Sequence, residues 1–91
     1  MLHLNKLEKA RINIDLIDQE MAKLFEKRMQ EVNEVITYKM EQGLPIFDQN
    51  REQQVIEKNL KYINNNELKP YYEASLNALM GISKEYQSKK L

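Results

Sequence analysis

Between about Asn5 and about Gln42 the chain carries neither proline nor glycine. Within that stretch apolar residues return at helical spacing: Leu7, Ile14, Ile17, Met21, Leu24, Phe25, Val32, Val35 and Ile36. The pattern predicts one unbroken helix, and its length constrains everything else. At 1.5 Å per residue it would run about 57 Å, whereas a compact domain of this size has a radius of gyration of only about 12 Å. One protomer of 91 residues cannot cover such a stripe. A second copy of the chain is the simplest cover, so an intertwined homodimer is expected.

The remainder reads as two shorter helices. Gly43 suits the left-handed residue that ends the long helix, and Pro45 prevents its resumption. Asp48 reads as an N-cap for a helix over about 49–64 whose apolar face is Val55, Ile56, Leu60 and Ile63. The Asn64-Asn65-Asn66 run reads as a turn, and Pro70 suits the first turn of a third helix over about 70–89. The expected fold is all-α, with three helices per protomer in a single domain spanning residues 1–91. With 31% charged residues and only two glycines and two prolines, the composition favours amphipathic helices over sheet or disorder.

Several function classes are disfavoured by what the chain contains. Lysine and arginine number 14, as do aspartate and glutamate, so no net charge draws the protein toward nucleic acid or anionic membrane. There is no cysteine, which removes thiol nucleophiles and disulfides. The single histidine, His3, has no convergent partners in sequence for a metal site or proton relay. No apolar run has the length of a signal peptide or of a membrane span, so a cytoplasmic protein is expected.

Three cations interrupt the long helix's seam. In heptad notation its a and d positions are Leu4, Leu7, Arg11, Ile14, Asp18, Met21, Phe25, Arg28, Val32, Val35 and Lys39. Eleven residues at 100° each return Lys39 to within about 20° of Arg28, roughly 16 Å along the axis. Arg11 lies about 25 Å beyond Arg28, too far to share a small ligand with Lys39 on one helix. In an antiparallel dimer it could reach the partner's pocket instead. Any one of these side chains could pack its alkyl stem and leave its head in water, and Asp18 could serve as a register-setting partner for Arg11. Three together in a chain of zero net charge point to a seam that closes around anions, because unpaired buried cations cost several kcal/mol each.

The other helices also place polar groups on packing faces. Arg51 stands in the first turn of the second helix, where the macrodipole disfavours a cation unless an anion is near. Asp48 is accounted for as a cap, and Glu52 suits a helix start. On the third helix Leu76, Met80, Ser83 and Gln87 form one stripe, so a hydroxyl and an amide continue an apolar face. Each could equally be a solvated residue near a helix end.

Taken in order, Arg11, Ile14-Asp-Leu-Ile-Asp18, Phe25-Glu-Lys-Arg28-Met, Tyr38-Lys39, Gly43-Leu-Pro-Ile-Phe-Asp48, Arg51-Glu52 and Ile82-Ser83-Lys-Glu-Tyr-Gln87 resemble the all-helical, type II (AroQ-type) chorismate mutases. The resemblance covers nearly the whole chain. It implies an interlocked dimer with two active sites, each completed by Arg11 from the other chain. By the same likeness Arg28 would hold a substrate carboxylate, Lys39 the ether oxygen and a carboxylate, and Gln87 the ether oxygen from the other side. Arg51 would strengthen the cationic field, Asp48 and Glu52 would hold the ring hydroxyl, Ser83 would assist at a carboxylate, and Val35 would form part of the apolar wall.

The implied reaction converts chorismate to prephenate by a concerted pericyclic shift on the route to phenylalanine and tyrosine. It needs no cofactor, metal or covalent intermediate, in keeping with the residue types present. Guanidinium forks suit the orientation of two carboxylates, and preorganised donors suit the charge that grows on the ether oxygen. The chain ends soon after the third helix, which fits a monofunctional enzyme or a module of a larger one. Two rivals stand beside this reading. An isochorismate-pyruvate lyase of the same fold would bind a similar dicarboxylate, although the Gly43–Asp48 loop favours the mutase. A non-catalytic helical dimerisation module would need no anion site.

Overall fold

The computed structural model describes residues 3–91, and every regular element among them is helical. Helix α1 spans Lys6–Gln42. Asn5 caps it, its side-chain oxygen accepting from the Glu8 N–H at 2.8 Å, so one of the four amides orphaned at the helix start is satisfied. At the other end Gly43 adopts φ 66°, the Leu44 N–H reaches back to the Lys39 carbonyl at 2.8 Å and the Gly43 N–H to that of Met40 at 3.4 Å. That pair of bonds is a Schellman closure, which needs a residue in the left-handed region and finds it in glycine.

Helix α2 spans Gln49–Leu60. Asp48 is its N-cap in extended conformation, accepting from the Arg51 N–H at 3.1 Å. The helix stops at Leu60, short of the end near residue 64 that the sequence pattern predicts. The Tyr62 N–H bonds to Asn59 and the Ile63 N–H to Leu60, at 3.0 and 3.2 Å. These i to i−3 turns tighten the chain and end the α ladder. The asparagine run then opens a short 3-10 turn, Asn66–Leu68, with Asn65 accepting from the Glu67 N–H at 3.1 Å. Helix α3 follows directly over Lys69–Lys89, with Pro70 in its first turn, where its missing N–H costs nothing.

The described residues fall into two units, one ending at Glu31 and one running from Val32 to Leu91. The first holds most of α1, and its apolar stripe is open to solvent: Leu7, Ile14, Ile17, Met21 and Leu24 are 52–60% exposed. The second packs α2 against α3. Its core is small. Ile36, Leu76 and Met80 are its buried apolar residues, and Ser83 is its buried polar one. The buried face of α3 is therefore the Leu76, Met80, Ser83 stripe, with Gln87 half-buried at its end. On α2 Val55, Ile56 and Leu60 are half-buried, as is Ile63 just beyond it. Among the described residues no helix is long and apolar enough to cross a membrane.

Candidate active site

Lys39 occupies the last turn of α1, where the macrodipole favours a cation. The Schellman closure turns the chain back at that point, and the Lys39 Nζ donates to the Ile46 carbonyl at 3.0 Å. An ammonium has three donors, and this contact uses one. The side chain is half-buried and lines an open pocket of about 750 Å³ together with Leu44, Pro45, Phe47, Asp48, Gln49 and Asn50. A cation, a carboxylate and an amide-rich helix start thus share a wall with three apolar side chains, a mixed lining suited to a small polar molecule with a hydrocarbon face.

The start of α2 supplies the neighbouring groups. The Asp48 carboxylate is engaged as a cap through Oδ1 and also faces the pocket. Arg51 is exposed. Glu52 is half-buried, and its Oε1 lies 2.7 Å from the Lys84 Nζ on α3. Ser83, next to Lys84, is buried, and its Oγ donates to the Leu79 carbonyl at 3.0 Å. Gln87 is one turn further along the same face, and Val35 on α1 remains 45% exposed.

The structure thus brings Lys39 and Asp48 to one pocket wall, and it puts Ser83 and Gln87 on one face of α3. Arg11 and Arg28 lie in the amino-terminal unit, Arg11 exposed and Arg28 half-buried. Nothing in the sequence pattern singles out Lys84. Its partner is on another helix, and no local spacing rule links positions so far apart. Leu44 and Phe47 also escape notice as lining residues, since their loop enters the sequence reading as the end of α1 and as part of the resemblance, with no lining role for either side chain. Among the described residues no cluster of acidic side chains and histidine is placed to hold a metal ion.

Compared with known proteins, the sequence matches a family model described as chorismate mutase type II over residues 10–88. Neither the curated proteins nor the solved structures yield a match. The matched span takes in nearly all of α1, the Gly43–Asp48 loop, α2 and almost all of α3.

Proposed function

The chain belongs to the type II chorismate mutase family, and from that premise we propose that it rearranges chorismate by holding the substrate's two carboxylates in a cationic pocket built around Lys39. The family makes it an isomerase of the shikimate pathway; the manner of catalysis is our reading. In the reaction the ether carbon–oxygen bond breaks while a carbon–carbon bond forms, in one cyclic flow of electrons. No nucleophile takes part. The protein's work is to fold the enolpyruvyl arm over the ring and to stabilise negative charge on the departing oxygen.

Lys39 is the group for that charge. Its contact with Ile46 fixes the ammonium in advance, so little reorientation is needed as charge develops. Gln87 donates to the same oxygen from the α3 side. Arg28 grips one carboxylate with its planar fork, a geometry that a lysine could not reproduce. Ser83 assists at a carboxylate, and Arg51 adds to the positive field. Asp48 and Glu52 accept the ring hydroxyl, and Val35 gives the ring an apolar wall.

We further propose that the working unit is an intertwined dimer in which Arg11 of each chain completes the other's site. The support is the bare stripe on the first unit. Covering a side chain such as Leu24 or Ile17 is worth about 1.5–3 kcal/mol each when burial is complete. Several such residues in a row give a second copy ample reason to bind.

The observation that carries the mechanism is Lys39 on a pocket wall, anchored and still able to donate. The test is direct. Purified protein mixed with chorismate should consume its absorbance and yield prephenate, while isochorismate should release no pyruvate. Pyruvate release from isochorismate, with chorismate untouched, would replace the mutase with the lyase.

A further inference from the structure

One ion pair does more than decorate a helix surface. The Lys23–Glu20 and Lys89–Glu85 pairs each lie within a single helix, with all four side chains more than two-thirds exposed. The Lys84–Glu52 pair instead joins α3 to α2 at 2.7 Å, and the Glu52 side chain is only 27% exposed. Lys84 directly follows the buried Ser83 and stands three residues before Gln87. Glu52 follows Arg51 and lies one turn from Asp48. The pair therefore sits among residues proposed to hold the substrate, and any role for it in binding rests on the mutase reading.

A carboxylate in such a place works against its own site. The substrate is a dianion, and a partly desolvated Glu52 repels it more strongly than a solvated one would. Its use as an acceptor for the ring hydroxyl also demands a fixed orientation, which a glutamate with three rotatable bonds does not keep unaided. A cation at 2.7 Å answers both needs.

We propose that Lys84 is a positioning residue: it aims the Glu52 carboxylate at the substrate's hydroxyl and masks its charge so that a dicarboxylate is admitted. Lys84 itself need not touch the substrate. Glu52 is then an acceptor at little electrostatic cost, and the preference for a dianion survives an acidic residue one turn from the pocket-lining Asp48. A purely structural pair between two helices would behave differently, because it would contribute to folding and leave substrate affinity alone.

Steady-state kinetics on the full chain separate these cases. K84A should raise KM for chorismate by roughly three- to tenfold while kcat falls by less. K84R should restore most of the loss. In an E52Q background K84A should have almost no further effect on KM, since no carboxylate is left to mask. Thermal midpoints measured in parallel identify variants that fail to fold, and for those K84R and the salt dependence of the wild-type KM carry the comparison. An unchanged KM in K84A, or the same penalty with and without E52Q, would overturn the proposal while leaving the mutase reading intact. A wild-type protein that does not turn over chorismate would remove the reading and this inference with it.

Discussion

The Lys39 Nζ donates to the Ile46 carbonyl at 3.0 Å, seven residues ahead of it in the chain. The same Lys39 accepts, through its own carbonyl, the Leu44 N–H that closes α1. One residue thus ends the helix with its backbone and anchors the following loop with its side chain. The local fold and the proposed chemistry depend on the same few atoms.

Lys39→Ala should accordingly abolish most turnover. Removing a preorganised donor to a developing oxyanion costs about 3–4 kcal/mol, or on the order of a hundred- to a thousandfold in rate. Loss of chorismate absorbance measures it, and circular dichroism should show a retained helical fold. A variant with near-normal kcat would displace Lys39 from the reaction.

Gln87 is an amide and donates at any pH. Activity should stay nearly flat between pH 6 and 8. Gln87→Glu should work best in acid, since a carboxyl donates only while protonated and its ordinary pKa is about 4.3. Its activity should therefore fall as pH rises through the glutamate's pKa. A steep wild-type loss between pH 6 and 8 would take Gln87 out of this role.

Association can be probed at the bare stripe. Leu24 is 60% exposed in the single chain, so Leu24→Glu should be tolerated by an isolated protomer. In a dimer that buries it, the change forfeits about 1.5–3 kcal/mol per chain before the cost of the charge, weakening association on the order of a hundredfold or more. Sedimentation equilibrium should find the wild type dimeric and the variant monomeric and inactive. A stable, folded wild-type monomer at micromolar concentration would contradict the dimer.

Gly43→Ala tests the closure of α1. A Cβ built there meets nothing within 4 Å, so the strain comes from backbone conformation alone. Holding alanine at φ 66° costs about 1–2 kcal/mol. The thermal midpoint should drop, and KM should rise if the loop that anchors Lys39 loosens. An unchanged midpoint would mean that the left-handed turn matters little to stability.

Much of the fold is legible locally. Gly43 and Asp48 are punctuation whose geometry follows from residue type, and both behave accordingly. The stripe Leu76, Met80, Ser83 announces the buried face of α3 by period alone. The end of α2 is not legible, because Asn64-Asn65-Asn66 favours turns without specifying which, and the tight turns at Tyr62 and Ile63 begin before it. The Lys84–Glu52 pair cannot be foreseen either, since it exists only once α2 and α3 are side by side. The proposed role of Arg11 needs a second chain, which spacing along the long helix suggests without giving the partner's register or the groups that Arg11 would meet.

The hydroxyl of Ser83 has a single proton, and in this structure it points along the helix to the carbonyl of Leu79. A carboxylate arriving beside it would gain this donor only once the proton turned from the Leu79 carbonyl. The carbonyl left behind keeps its ordinary place in the helical ladder, so the swap is close to even. Under the proposed mechanism serine at this position makes a trade rather than a gain, because the proton it would offer a carboxylate is one already spent on the backbone.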